Sequence, residues 1–540
     1  MRNKIIFTSI LSSMVLGLGA QNKAPKSFDK YYDWFNKDIK ADKANGVSVN
    51  KAYSELLAGK KPKKTIIVAV VDGGVDPDHE DLKANMWINE DEIPNNGIDD
   101  DNNGYIDDIH GWNFLGNAKG ENIDAENLES TRWYRELRKT YADLDPENVT
   151  NQKEYALYKE LDSIYWKNRN EYKEEFTQVG QMKFGVDFIF NALSTSEGKE
   201  IKTIDEALKI ESEDKQTMEF VAALKELKQA GMTRKDIADY YEQSEKFYKN
   251  YYNLNFEARK DIIGDDLTDI NDKNYGNPDI EGPDAFHGSF CAGIIGGVRD
   301  NNVGIQGVAS AVKIMGVRAV PNGDEYDKDI ALAIRYAVDN GAQVINMSFG
   351  KGYSPQKQLV DEAIEYANSK GVLLVHAAGN DSKNVDENDN FPDDVLNSGV
   401  TAPNVVTVGA SSIYKNKKML GVFSNYGKEK VDLFAPGVDV VSTAPDDYYQ
   451  QSDGTSFAAP VVSGVAALVW SYYPELTHLE LKNILLESTK NYKRKRVYIP
   501  SRDKKRKKRM RDLSVSGGVV NAYNALKLAE KKTMVYLLNK

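Results

Sequence analysis

Between residues 65 and 435 the chain carries six short runs of aliphatic and β-branched residues. They are TIIVAVV (65–71), KIMGVRA (313–319), AQVINM (342–347), VLLVHAA (372–378), VVTVGA (405–410) and VDLFA (431–435). None keeps the strict apolar–polar alternation of a half-buried strand. Runs of this kind predict strands buried on both faces, as in a parallel sheet covered by helices. Residues 330–340 and 357–370, lying between such runs, instead repeat their apolar positions at helical spacing. Strand, helix and strand in succession, punctuated by Gly and Asn, predict a doubly wound α/β sheet.

Residues 117–260 break this rhythm. They are rich in Glu, Lys and Tyr and nearly free of Gly and Pro. Leu157, Leu161, Ile164 and Tyr165 fall at helical spacing, as do Phe220, Val221, Leu224 and Leu227. Gly231 is placed to end one helix, and Thr233 with Asp236 to cap the next. The segment reads as a helical insertion, either a solvated decoration or a lid or regulatory arm over a site. Ahead of the first strand, residues 21–64 are polar, with aromatics at Tyr31, Tyr32, Trp34 and Phe35, and predict one or two short helices. Past the last strand, SGGVVNAYNALKLA (516–529) resumes a helical pattern.

The first twenty residues read as an address. Arg2 and Lys4 precede an apolar stretch from Ile5 to Leu18 and the small pair Gly19-Ala20, the anatomy of a secretory signal peptide. An uncleaved anchor is the alternative, kept open by Leu18 where a smaller residue is usual. No later stretch offers eighteen apolar residues in a row, so no transmembrane segment is expected after cleavage. The mature protein is expected to be exported, to the periplasm or beyond.

Charge and cysteine content narrow the chemistry. With 70 basic and 82 acidic side chains in 540 residues the net charge is −12, which argues against general nucleic-acid binding. Lys490–Arg511, containing KRKR and KKRKKRMR, runs against that balance. It reads as a solvated basic loop, a docking site for an anionic surface such as phospholipid or polysaccharide, or a target for trypsin-like cleavage. Cys291 is the single cysteine, so the chain forms no intramolecular disulfide and no Cys-based zinc cluster. No histidine pair has the spacing of a zinc-peptidase helix, and no catalytic metal is expected.

Three segments each set a reactive side chain beside glycine at a strand end or a helix start. VAVVDGGVD carries Asp72, HGSFCAGIIGG carries His287, and DGTSFAAPVVSGVAALVW carries Ser456. A serine hydroxyl is too weak an acid to attack an acyl carbon unaided, so an imidazole must take its proton. A buried carboxylate then fixes the imidazole tautomer and steadies its cation. A serine at a helix start also meets backbone N–H groups suited to a developing oxyanion. Singly, each residue also reads as a turn, a packed ring or a helix cap.

In that order and with those flanks, the segments resemble the subtilisin-like serine proteases (subtilases, peptidase family S8). The resemblance covers roughly residues 45–115 and 262–530. It implies an α/β, three-layer fold with a mainly parallel central sheet. The peptidase domain would span 65–116 and 261–530, interrupted by the large helical insertion at 117–260 and containing the basic loop 490–511. It implies Ser456 as nucleophile, His287 as base and then acid, and Asp72 as the orienting carboxylate. AAGN at 377–380 resembles the segment whose asparagine, here Asn380, completes the oxyanion hole. NMSFG at 346–350 resembles the strand that pairs with the substrate backbone, through Ser348, Phe349 and Gly350. Ala377, Ala378 and Gly379 would form one wall of the pocket for the side chain before the scissile bond. That wall is uncharged, which favours an apolar or permissive preference. Three positions depart from the family: Gly73 where Ser or Thr is usual, Phe290 for a second histidine, and Phe457 for a methionine. Cys291, one helical turn after His287, is expected to be a buried thiol beneath the site.

GIDDDNNGYIDD (97–108) offers oxygens at Asp99, Asp101 and Asn103, the Tyr105 carbonyl, Asp107 and Asp108, with Gly104 at the sixth place. Hard oxygens spaced by two around a glycine follow the logic of a calcium loop, though His110 stands where an EF-hand needs Glu. Many subtilases are calcium-stabilised, so the resemblance implies a structural Ca2+ here; a solvated acidic turn is the alternative. NVDENDNFPDD at 384–394 is a lesser candidate. The function expected is that of an exported serine endopeptidase acting on proteins or peptides through an acyl-enzyme. The alternative is a catalytically weak or inactive subtilase-like binding module.

Overall fold

In the computed structural model, which describes residues 31–502 and 505–538, the six buried runs all become strands. The signal peptide expected over 1–20 lies outside the described residues. The strands are β1 (Ile66–Asp72), β2 (Gly111–Asn113), β3 (Val312–Arg318), β4 (Val344–Met347), β5 (Leu373–Ala377), β6 (Val405–Ser411) and β7 (Leu433–Pro436). A hairpin follows, β8 (Val440–Ala444) and β9 (Tyr448–Ser452), then β10 (Lys490–Asn491), β11 (Arg496–Tyr498), β12 (Lys507–Arg509) and β13 (Gly518–Val519). The central sheet runs β10-β13-β7-β6-β5-β4-β1-β3-β2 and is parallel except where β10 meets β13. Strand order reverses around β1, which pairs with β3 on one side and β4 on the other. The carboxyl end of β1 therefore opens onto a topological switch point, where open α/β sheets bind ligands.

Successive residues of β1 enter different layers. Ile66, Val68 and Val70 pack with the helices Phe286–Gly296 and Thr455–Tyr472, whereas Ala69 and Val71 pack with Asp327–Asp339 and Lys357–Ser369. Burial on both faces is why the runs show no alternation, and the α/β three-layer expectation holds. Thr455–Tyr472 is the only helix among the described residues long and apolar enough to cross a membrane, yet 94% of it is buried. It is the central core helix. The segment before β1 adds Trp34, Phe35 and the helix Val49–Glu55 to the same core.

The chain divides into two compact units, and Ala125–Glu257 forms the second. Its main helix, Gln152–Glu197, has 46 residues and would extend about 69 Å at ideal rise. Tyr134 of the helix Glu129–Tyr141 stacks on Tyr158 and Tyr165 of that long helix. Further along, Phe190, Leu193, Val221, Leu224 and Ile237 form a small core. The helix Lys215–Gln229 stops before Gly231, which adopts φ 77°, and Thr233 with Asp236 makes the reciprocal cap of Arg234–Lys246.

Two C-terminal segments differ from expectation. The helical pattern at 516–529 does not start at once: Val519 pairs with Phe434 in the sheet, and helix Ala522–Leu538 begins where Asn521 Oδ1 accepts the Asn524 N–H. Gly517, at φ 58°, turns the chain just before β13, which enters the sheet between β7 and β10. The basic segment is more than an irregular loop. β11 and β12 pair as an antiparallel ribbon, anchored by buried Val497 and Met510. Arg496 stands opposite Arg509 across that ribbon, a like-charge pair that disfavours the ladder.

Candidate active site

Asp72 is the last residue of β1 and is 3% exposed. Its Oδ1 lies 2.8 Å from His287 Nδ1 and also accepts the Gly73 N–H at 2.8 Å. Its Oδ2 is buried and has no hydrogen-bond partner among the described residues, and Gly73 beside it brings no hydroxyl. A Cβ at Gly73 would stand 3.0 Å from the Val320 carbonyl oxygen, so the close approach of that loop favours glycine. His287 is the second residue of the helix Phe286–Gly296, and its ring is 39% exposed. Gly288 lets this helix close on the strand end: a Cβ there would meet the Gly74 carbonyl oxygen at 2.1 Å and Asp72 Cβ at 3.0 Å. Burial opposes charge on His287. The Asp72 carboxylate, through its charge and its hydrogen bond, joins Asp284 in outweighing that, and the pKa is raised above 6.5.

Ser456 is the second residue of the core helix. Pro460, four residues on, has no N–H to offer its carbonyl. That oxygen instead accepts from Ser348 Oγ at 2.7 Å and Cys291 Sγ at 3.4 Å. Ser348 is held in turn by Asn346 Nδ2 at 2.9 Å, and Asn346 Oδ1 accepts from Ser463 at 3.0 Å. Among the described residues no hydrogen bond joins the Ser456 hydroxyl to His287. The two segments meet through Phe457, whose ring centroid lies 5.4 Å from that of His287 and 4.2 Å from that of Phe290. Asn380 Oδ1 accepts from the Thr455 N–H at 2.9 Å and from Thr455 Oγ1 at 3.0 Å. Its carbonyl oxygen is thereby fixed beside the serine, leaving the NH2 as the group available to a ligand.

Ala377 ends β5, and Gly379 N–H donates to Thr455 Oγ1 at 3.1 Å, which ties the 377–379 segment to the serine helix. Phe349 O lies 2.8 Å from His376 Nε2. His376 is buried and its pKa is pushed down to about 4 by desolvation, so the neutral ring donates to that carbonyl. Of the three residues at 348–350, Phe349 thus has its carbonyl committed to the protein. Sequence reasoning missed His376, whose only signal was a histidine inside an apolar strand. Cys291 is buried, and burial first, then the Asp72 charge, raises its pKa well above the ordinary thiol value. A thiol held protonated is no competing nucleophile.

The acidic loop is only partly convergent. Asp99 and Asp101 join Glu92, which the sequence reading did not include, with oxygens all within 4.8 Å of one another. Asn103 is drawn in, its amide donating to Asp101 and Asp108 at 3.0 and 3.1 Å. Asp107 turns away to accept the Asn96 and Gly97 N–H groups at 3.0 and 2.9 Å. Asp108 is buried against Tyr336 and Asn89 at 2.6 and 2.7 Å, and desolvation raises its pKa to about 6. The Tyr105 ring packs edge-on to Trp112 and Tyr336.

The subtilase family model matches residues 63–508, and the chain belongs to that family of subtilisin-like serine proteinases. It is 39% identical over 204 residues to a thermophilic serine proteinase of Bacillus sp. strain AK1, covering 38% of this chain and 46% of that protein. It is 36% identical over 208 residues to subtilisin DY of Bacillus licheniformis, covering 38% of this chain and 70% of the relative. A cell wall-associated protease of Bacillus subtilis is 34% identical over 226 residues, 42% of this chain and 23% of the relative. The chain thus spans less than half the length of two of these relatives.

Proposed function

We propose that this chain is an exported endopeptidase in which Ser456 attacks the scissile carbonyl of a protein or peptide. His287 takes the hydroxyl proton and returns it to the leaving amine, Asp72 holds the His287 tautomer, and the Asn380 NH2 with the serine helix N-terminus receives the oxyanion. Water then hydrolyses the acyl-enzyme by the same proton route. The observation that carries this reading is the 2.8 Å Asp72–His287 contact at the switch point, with the serine helix one aromatic ring away. Ser348 and Gly350 would pair with the substrate backbone and 377–379 would wall the pocket before the scissile bond. The leader-like pattern of residues 1–20, and the similarity to a cell wall-associated protease, support export. Casein and peptide hydrolysis by the purified protein, lost in Ser456→Ala, tests the reading.

Among the described residues Asp72 Oδ2 has no hydrogen-bond partner and no hydrogen bond joins Ser456 to His287, which favours one rival, a catalytically silent binding module. That protein would fold, bind peptide and hydrolyse nothing. Glu92, Asp99 and Asp101 suit a hard divalent cation, since no basic side chain pairs with them among the described residues. A structural Ca2+ there would neutralise them and stabilise the loop. Calcium, but not magnesium, should raise the Tm, and Asp101→Asn should abolish the increment. The ribbon β11–β12 would offer its cations to an anionic surface.

A further inference from the structure

Beside the Asp72–His287 pair lies a cavity of about 270 Å³ whose chemistry the triad does not use. Asp72 and His287 form one wall and Ser348, Phe349 and Gly350 another; Asp124, Asp284, Arg318 and Asn322 help to close it. Asn322 ties the two outer carboxylates together. Its Nδ2 donates to Asp124 Oδ1 at 2.9 Å and to Asp284 Oδ2 at 3.5 Å, and its N–H donates to the Asp124 carbonyl at 3.0 Å. Asp284 also accepts the Phe286 N–H at 3.1 Å, which fixes it three residues before His287. It is exposed, and no basic side chain pairs with it among the described residues.

One cation, Arg318, lies close enough for its charge to act on Asp124 and Asp284, but its hydrogen bonds go to other groups. Arg318 is 2% exposed and donates to the carbonyls of Gly73, Leu115 and Ile123 and to Asn113 Oδ1. Its guanidinium is used by four neutral oxygens of the floor. Of the four acidic side chains that line it, Glu325 is buried and desolvation pushes its pKa up to about 8, so Asp72, Asp124 and Asp284 carry the charge and leave the cavity negative beside one inward-turned cation.

Strand geometry says which substrate side chain enters. A peptide added along 348–350 alternates its side chains between two faces. If the residue before the scissile bond lies against 377–379, the residue before that points to the opposite face, toward His287 and this cavity. Resting on the peptidase reading above, we propose that the cavity selects a lysine or arginine side chain at the second residue before the scissile bond, held by Asp284 and Asp124.

The test uses the full-length protein and three peptide anilides, Ala-Ala-Lys-Phe, Ala-Ala-Leu-Phe and Ala-Ala-Glu-Phe. The Lys peptide should exceed the Glu peptide in kcat/KM by about ten-fold or more, as a close charge pair gives. Asp284→Asn keeps the oxygen that caps the Phe286 N–H while removing the charge. It should shrink the Lys:Glu ratio, and adding Asp124→Asn should shrink it further. A ratio near one in the wild type, or a ratio unchanged in the double variant, overturns the proposal. Binding of the same uncleaved peptides to Ser456→Ala separates the two claims. Preference for Lys in binding without any wild-type hydrolysis leaves the cavity assignment standing and refutes the peptidase; hydrolysis without preference does the reverse.

Discussion

Two clusters of opposite charges, one in each unit, are built from similar groups and sit in different surroundings. In the α/β unit, Arg259 bridges Asp265 at 2.8 Å and Asp329 at 2.5 Å, and Lys328 joins Asp265 at 2.6 Å, all with side chains no more than 4% exposed. In the helical unit, Asp187 meets Lys183 at 2.9 Å and Arg234 at 2.8 Å, with side chains 31–38% exposed. Distance does not distinguish them; burial does. The first cluster must stay complete because any orphaned charge would remain out of water, whereas the second can open into solvent. The Asp72–His287 pair combines the two, a carboxylate as buried as the first cluster and a ring as open as the second. Such a pair can hold a charge firmly and still hand a proton to a ligand.

The comparison breaks most visibly at the site. Asp72→Asn should leave the fold intact and lower kcat by about 10⁴-fold, as loss of the orienting carboxylate does in triads. The raised His287 pKa means that the neutral base is present above it and lost as pH falls through it. Activity should therefore fall on the acid side from above pH 6.5, and removing the Asp72 charge should move that limb to lower pH.

The next effect concerns stability. Asp329→Asn should cost about 3–5 kcal/mol in urea unfolding, because the buried cations Arg259 and Lys328 are then left sharing the single carboxylate of Asp265. His376 supplies a smaller, pH-dependent contribution. Its folded pKa of about 4 lies below the unfolded 6.5, so the unfolded chain takes up a proton first as pH drops. Stability should fall between pH 6.5 and 4 by about 3 kcal/mol from this residue and be unaffected by it above 6.5. Asp108 and Asp394, both raised to about 6 by desolvation, oppose that slope, so the difference between wild type and His376→Gln isolates it. Smallest of all, Asp187→Ala should change stability by about 1 kcal/mol or less. A loss there as large as at Asp329 would break the comparison.

What could be read from the sequence follows from the same physics. The six apolar runs became strands because residues buried on both faces leave no other composition open. Asp72, His287 and Ser456 stood out because close approach of strand and helix demands glycine beside them, as Gly288 against Gly74 shows. Features assembled from distant segments were not legible. Glu92 joins the acidic loop from outside its spacing, and Phe349 loses its carbonyl to a histidine 27 residues away. The cavity beside His287 draws Asp124, Asp284 and Asn322 from three separate stretches. At 516–521 local helical patterning yielded to the sheet, where pairing with Phe434 on one side and β10 on the other outweighs propensity.

The central claim is that Ser456 is activated by His287 and Asp72. Labelling the folded protein with a fluorophosphonate in a calcium-containing buffer tests it most directly, since only a serine served by a base and an oxyanion site reacts. The account predicts one adduct, mapped by mass spectrometry to Ser456 and absent in Ser456→Ala and His287→Ala. A folded protein that takes no label, or one that labels equally without Ser456, would contradict it.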